Sequence, residues 1–444
     1  GDGIADIPFD RVMNNPTDKI DQETLIAGYD FEHRLNESWK LRNQFSYVYG
    51  SYDYGVFVAP LALDDSTGTL TRLFSAQDQD SHTFTTDTNV QGKFRTGPFE
   101  HTGLIGFDLT QRTENFLARI DFSPAFFSNI NIFDPDYFAV PIPDESDIAV
   151  GSETKINSRQ IGLYMQDQVE ILDNLILVGG FRADDFSSRT KDKLTDSISQ
   201  KDNQRAFSPR AGAVYRPIEP ISLYANYSES FRPTGTLDAS GNALPPEEGQ
   251  GFEVGVKVDF IPDRLSSTLA FFDITKQNVA TADPVNPFAS VATGEQRSRG
   301  VDVDLTGEIL PGWNVIASYA YIDAEVTKDN DASLVGNEFP GIPRHSGNLW
   351  TTYEFLGGPF KGVGAGIGFN YVGERKGDLA NSFEVDSYVV TNAGVYYRWR
   401  NWLARLNVDN IFNVDYIESA SGSRTFENIP GAPFTIRGSI SATF

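Results

Sequence analysis

A chain of 444 residues has room for two or three soluble domains or one large barrel, so length alone decides nothing. The formal net charge of -25, from 36 basic against 61 acidic side chains, leaves no cationic excess to neutralise a phosphate backbone and excludes nucleic acid as a partner. Cysteine is absent, which removes disulfide scaffolds and thiolate metal sites.

The chain opens on Gly1-Asp2-Gly3-Ile4-Ala5, with neither an initiator Met nor a charged and apolar leader, as after removal of a leader or in a fragment. From there a period of two runs to the end, with little that reads as an amphipathic helix. The first strand is predicted over 24–35, followed by a short turn at 35–39 and a long polar stretch at 59–69. A short turn at 97–100 precedes a long stretch at 120–154, and turns follow at 172–174 and 218–220. Leu223, Ala225 and Tyr227 alternate with Ser222, Tyr224 and Asn226, and after a long stretch at 233–250 Phe252, Val254, Val256, Val258 and Phe260 alternate with Glu253, Gly255, Lys257 and Asp259. Turns at 262–264 and 310–312, a long stretch at 328–343, turns at 357–362 and 400–401 and a long stretch at 418–431 complete the series. In the last strand, 434–444, Phe434, Ile436, Gly438, Ile440, Ala442 and Phe444 share one face.

No apolar run approaches the roughly eighteen residues of a membrane helix. Barrel strands need only about 9 to 11 residues, alternately lipid-facing and polar, so the mean hydropathy of -0.32 says nothing against them. Aromatic residues at 13%, with 33 Phe and 18 Tyr against 2 Met, suit strands with interfacial girdles. Short turns on one rim and long loops on the other are the signature of an outer-membrane barrel, with the short rim periplasmic. The fold expected is therefore all-β, a transmembrane antiparallel β-barrel with about seventeen strands present. An odd count puts the start of the 24–35 strand on the extracellular side, so residues 1–23 are expected as an outer loop and upstream strands as missing. A soluble propeller would repeat a blade of fixed length, and no such period is seen.

Catalytic signatures are lacking, and the chain is not expected to be an enzyme. The histidines His33, His82, His101 and His345 have no partners at metal-binding spacing and read as strand-surface or turn residues. The run Asp329-Asn-Asp331-Ala-Ser333 starts like a calcium loop but has Leu334 and Pro340 at the sixth and twelfth positions. In Gly362-Val-Gly-Ala-Gly-Ile-Gly368 the glycines alternate, leaving one strand face bare for close approach, inward in a barrel. Asp184, Asp185 and the stretch 144–147 read as solvated loop or rim.

From Gly28-Tyr-Asp-Phe-Glu-His-Arg-Leu35 to the end, the chain resembles the TonB-dependent siderophore receptors. The resemblance rests on Tyr164-Met-Gln-Asp-Gln168, Gly180-Phe-Arg-Ala-Asp184, Phe207-Ser-Pro-Arg-Ala-Gly212, Leu223-Tyr-Ala-Asn-Tyr-Ser-Glu-Ser-Phe-Arg-Pro233, Thr293-Gly-Glu-Gln-Arg-Ser-Arg-Gly300, Pro343-Arg-His345, Asn410-Ile-Phe412 and Pro430-Gly431, in that order. It implies that residues 1–444 are part of a barrel of about 22 strands whose plug, coupling box and first strands, about five, are absent. It also implies ferric-siderophore uptake across the outer membrane of a Gram-negative-type bacterium, energised by a TonB complex through the missing N-terminal part. The iron is cargo inside its chelate, and no cofactor is expected. The terminal Phe444 is implied as the signal read by the barrel assembly machinery, and outer-membrane lipid as the surroundings of the apolar face. Phe133, Tyr137 and Phe138 in 131–138, and Phe426 in the last long loop, resemble siderophore-contacting aromatics; packing within their own loops is the alternative for each. Arg297, Arg299, Arg344 and Glu374 read as inward-facing, toward a plug or simply wetting the wall. A passive porin would share the alternation without these segments, and a secreted soluble β protein would stay folded in water.

Overall fold

The computed structural model describes residues 7–286, 289–420, 422 and 428–443. One antiparallel sheet of eighteen strands carries most of them. One of the eighteen is the two-residue Ile130–Asn131, laid against Thr69 and Leu70, which leaves the seventeen wall strands expected. The wall strands pair with their sequence neighbours, from Asp21–Arg34 against Trp39–Asp64 to Trp402–Asp409 against Thr435–Ala442. The first begins at Asp21 rather than residue 24, because Asp21, Gln22 and Glu23 stay in register with Asp53, Tyr52 and Ser51. The terminal Phe444 lies outside the described residues.

Closure is a point that the residues alone leave open. Among the described residues no ladder joins Asp21–Arg34 to Thr435–Ala442, and the wall is an open sheet rather than a closed barrel. The odd count supplies the reason. In an up-and-down series of seventeen strands the first and last run in the same direction, so joining them requires a parallel ladder unlike every other in the sheet. Both outer edges therefore carry unpaired backbone groups, and all fourteen residues of Asp21–Arg34 are exposed.

The cross-strand register sorts the side chains onto two faces. Ile105, Phe107 and Leu109 lie opposite Met165, Leu163 and Ile161, and the same face continues through Phe181, Leu223, Phe252 and Phe271 to Val395, Leu406, Ile436 and Ile440. These residues form an apolar band; Phe107, Leu163, Phe252, Phe271, Val395 and Ile440 are among its exposed members. The opposite face is polar, with Asp87, Asp108, Tyr164, Arg182, Glu253 and Asp302. The alternating glycines of Val363–Val372 lie on this polar face, as expected, and both rings and neighbouring backbone fill the space. Tyr396 covers Gly364, and Trp350 covers Gly368, where a Cβ would sit 2.3 Å from Trp350 Cε3 and 2.9 Å from the Leu349 carbonyl oxygen. Gly368→Val is expected to cost about 1–3 kcal/mol through overpacking, read as a lower temperature for loss of the compact, fast-migrating band on gels. An unchanged transition would mean that the Trp350 ring simply swings aside.

Trp39–Asp64 and Thr69–Thr96 are far longer than a membrane crossing needs. Twenty-eight residues at about 3.3 Å each reach roughly 90 Å, against a hydrocarbon core of about 30 Å. Their hairpin accordingly projects well past the apolar band on the long-loop side, so most of the stretch 59–69 is strand rather than loop. The reason is local: Val58, Leu70 and Phe74 find apolar cover there. Val58, Phe74 and Ile148 form one small core with Val56, Phe126 and Val140 against it. Leu70, Ile130 and Ile132 form a second, with Met13, Leu63 and Tyr137. A single-layer wall buries little between its faces; these cores exist because the segment 121–149 and residues 7–20 fold over the hairpin.

Candidate functional site

Three segments meet at the projecting hairpin. Asp64 and Gly68 close its tip, with Gly68 at φ +70°. The Phe133 ring lies over Gly68, so close that a Cβ there would sit 2.6 Å from Phe133 Cε2. Phe133 is held from both sides: its N–H donates to Asn131 Oδ1 (2.9 Å), and its carbonyl accepts from Arg11 Nη1 (2.8 Å). Tyr137 packs in the second core and donates its hydroxyl to the Val12 carbonyl (2.9 Å). Phe138 has 57% of its surface exposed. The structure thus brings Phe133, Tyr137 and Phe138 onto one loop but divides them. Tyr137 packs against the second core, Phe133 packs one face and leaves half its surface open, and Phe138 stands exposed. The fourth aromatic, Phe426, lies outside the described residues.

Arg72 holds this assembly together. It is fully buried; Nε and Nη2 donate to the carbonyl (3.0 Å) and hydroxyl (2.8 Å) of Ser128, and Nη1 donates to the Met13 carbonyl (3.1 Å). Asp18 adds a second clasp by accepting the backbone N–H groups of Asn15 and Val58, both at 3.1 Å. The sequence reading missed Arg72, although its signal is there to read. Leu70, Arg72 and Phe74 fall on one face of a strand, so a charged residue occupies an apolar slot.

A second loop cluster surrounds the start of the last long loop. Arg375 reaches across to the carbonyls of Ile417 (2.5 Å) and Glu418 (3.2 Å) and stacks over the Tyr388 ring at 5.5 Å. Burial pushes its pKa below the ordinary arginine value. Asn381 donates to the Glu338 carbonyl (2.8 Å), linking the loop at 373–387 to the one before it. Nearby, the hydrogen bond between Glu374 and Glu384 pushes the Glu374 carboxyl up from its usual range.

The four residues expected to face inward lie elsewhere. Arg297 and Arg299 alternate in step with Val301 and Val303, which places them on the apolar side of the sheet beyond the band, ion-paired with Asp273 and Asp323. Arg344 pairs with Glu338 (2.7 Å) within a loop, and Glu374 sits beside the short pair Arg375–Lys376 and Glu384–Val385. Period two decides the face of a strand residue only once the apolar members are identified, and loops do not obey it.

The polar face holds its own network. Arg182 reaches Asp108 with Nη1 (2.6 Å) and Nη2 (3.0 Å), and Asp184 with Nε (2.8 Å) and Nη2 (2.6 Å). Gln160 completes Asp184 (2.9 Å), and Tyr164 donates to Asp87 (2.6 Å). Asp184, expected at a solvated rim, is instead a wall residue with a fully buried side chain, whereas Asp185 is exposed and pairs with Arg205. All four histidines lie on strands, His101 with its Nδ1 2.7 Å from Asp167. Among the described residues no three His, Asp or Glu side chains are grouped to hold a metal ion, and no helix is long and apolar enough to cross a membrane.

These features have counterparts in known proteins. The metal-pseudopaline receptor of Pseudomonas aeruginosa is 34% identical over 99% of this chain and 62% of its own length. The ferrichrome outer membrane transporter/phage receptor of Escherichia coli is 32% identical over 93% of this chain and 58% of its own length. The chain thus spans about three-fifths of the curated relatives it matches. Among solved structures, the siderophore receptor PiuA of Acinetobacter baumannii superposes with a TM-score of 0.83 at 25% identity, covering 98% of this chain and 66% of that one. The ferric-catecholate import receptor Fiu of E. coli, at 22% identity, shares the fold with a TM-score of 0.82 over 97% of this chain and 65% of that one. The family model described as TonB dependent receptor-like, beta-barrel matches residues 2–411. With that match across most of its length, the chain belongs to the TonB-dependent receptor β-barrel family.

Proposed function

We propose that this chain is the wall and outer mouth of a receptor that carries a ferric siderophore across the outer membrane of a Gram-negative-type bacterium, driven in the full-length protein by a TonB complex. The observation that carries the reading is similarity of 32–34% over nearly the whole chain to receptors for metal-pseudopaline and ferrichrome. The physical support is the two-faced wall: an apolar band suited to lipid, and a polar face suited to a hydrated lumen and its plug. The short-turn rim is then periplasmic, and residues 7–20 belong to the extracellular loops. Barrel assembly machinery would act on the last strand, whose Ile436 and Ile440 lie in the band.

A bulky, polar-faced chelate is held by aromatic planes and hydrogen-bond donors without any protein atom touching the metal. Phe138 and the open side of Phe133 provide such planes. In the full-length protein, Phe138→Ala and Phe133→Ala are each expected to weaken binding about tenfold, roughly 1.4 kcal/mol. The measurement is titration with a panel of ferrichrome, ferrioxamine B and a ferric catecholate, following intrinsic fluorescence. Tyr137→Phe, which removes only the bond to Val12, should act through loop order and have a smaller effect than Tyr137→Ala. Unchanged affinity in Phe133→Ala, Phe138→Ala and Tyr137→Ala alike would end the assignment of this loop.

A further inference from the structure

The loop 233–246 folds back onto the polar face of the wall as a strap. Its own bonds keep it in shape: the Leu244 N–H donates to the Thr236 carbonyl (2.9 Å), the Asp238 N–H to the Asn242 carbonyl (2.8 Å), and Leu237 pairs with Ala243. Amide side chains lash it to the wall. Gln204 Nε2 donates to the carbonyls of Leu244 (3.2 Å) and Thr234 (3.3 Å), Gln200 Nε2 to that of Gly235 (2.8 Å), and Asn278 Nδ2 to that of Pro246 (3.0 Å).

Beneath the strap, Asp202 and Gln204 share the face of Arg182 and Asp184. They lie toward the 193–196 turn, past Phe207, whose ring stacks on Phe181 of the apolar band at 5.4 Å. Both are buried, at 4% and 6% exposure. Gln204 Nε2 also donates to Asp202 Oδ2 (2.9 Å), which leaves one oxygen on each group, Asp202 Oδ1 and Gln204 Oε1, buried without a hydrogen-bond partner. With an ionised carboxylate that arrangement holds two acceptors and no donor, and it is costly. A protonated carboxyl removes the deficit, because an acid and a primary amide exchange two hydrogen bonds: amide N–H to one acid oxygen, acid O–H to the amide oxygen.

Charged neighbours do not favour the ionised form. Lys201 and Arg205 on the same strand, and Arg189 and Lys191 on the next, alternate to the other face, so Asp202 and Gln204 stand opposite Ser188 and Phe186. Asp184 is tied to Arg182. In the strap Asp238 accepts the N–H groups of Ser240 and Asn242, and at its base Arg232 and Lys276 flank Glu247 (3.9 and 2.9 Å). Among the described residues no basic side chain pairs with Asp202. Burial pushes its carboxyl up from the ordinary range, against the opposing pull of the Gln204 hydrogen bond.

We propose that Asp202 and Gln204 form a proton-operated latch: with the Asp202 carboxyl protonated they exchange two hydrogen bonds and hold the strap on the polar face, and with it ionised they keep one and the strap loosens. Because the latched carboxyl binds its proton more tightly than a loosened one, the latch is fully in force in acid, below the ordinary aspartate value of 3.8, and is lost as pH rises through the raised value. What the strap does to entry at the mouth rests on the function proposed above; the latch itself does not.

The test is amide hydrogen exchange in the full-length protein in detergent, expressed as protection factors so that the intrinsic pH dependence of exchange drops out, from about pH 3.5 to about pH 8. Residues 234–244 should be protected about tenfold more at the acid end, as one neutral hydrogen bond provides, while Phe99–Ile120 keeps the same protection throughout and reports a folded wall. Asp202→Asn, whose amide gives and takes the same two bonds with no proton to lose, should keep the high protection at every pH, and Asp202→Ala should hold it low at every pH. A flat parent, a response of opposite sign, or a response that survives in Asp202→Asn would overturn the latch. So would calcium chloride restoring acid-level protection at the alkaline end, since a cation would then be the partner of the two oxygens. Ferric-siderophore titration of the same samples reads the mouth separately. A responsive strap in a protein that binds no chelate would keep the latch and remove the proposed function, and chelate binding with an unresponsive strap would do the reverse.

Discussion

Arg72→Met should release the outer loops from the wall without disturbing the wall itself. The substitution removes donors from the buried Ser128 carbonyl and the half-buried Met13 carbonyl, each worth up to about 1–3 kcal/mol when left unsatisfied. Relief from burying a guanidinium offsets part of that, for a net loss of about 2 kcal/mol in local stability. Amide hydrogen exchange is the direct reading. Residues 7–20 and 121–149 should exchange about thirtyfold faster, while Phe99–Ile120 keeps its protection. Since Phe133 is positioned through Arg11 and the hairpin tip, the ferric-siderophore affinity proposed above for the full-length protein should fall alongside. Unaltered exchange in both segments would show that the two apolar cores hold the loops by themselves.

Arg182→Met is expected to act on the wall. It leaves Asp184, with a fully buried side chain, facing only Gln160, and strips Asp108 of its bidentate partner. Breaking a buried pair from one side costs about 3–5 kcal/mol. The guanidinium side chain is 35% exposed to solvent, and screening lowers the expected cost to about 2–3 kcal/mol. The check is denaturant unfolding in detergent or bilayers. Adding Asp184→Asn should recover part of the loss by removing the stranded charge. If the double variant is no more stable than the single one, the network is solvated rather than interdependent.

How far the residues alone reach is clearest in particular strands. Phe252, Val254 and Val256 against Glu253, Gly255 and Lys257 announce two faces, and the register bears both out. Turn chemistry at 262–264 and 400–401 marks the short rim equally well. Trp39–Asp64 and Thr69–Thr96 are less legible, because a hairpin beyond the band has no lipid to set its alternation and buries apolar residues under distant segments. Arg297 and Arg299 stand on the apolar side for a related reason: a polar residue beyond the band looks the same from either face until its neighbours are counted.

The sequence by itself determined the all-β class, the alternation of faces, the seventeen wall strands and the family, since each depends on period, turn residues or local segments. Only the tertiary structure decided that the wall stays open, that Arg72 clasps residues 7–20 to the segment 121–149, and that Tyr137 packs where Phe138 stands free. It also decided which like charges stand opposed, as at Arg189 and Lys201. Period two is a property of one strand and is legible along it. Closure, clasps and opposed charges are properties of pairs far apart in the chain, and their energies exist only once the register brings the partners together.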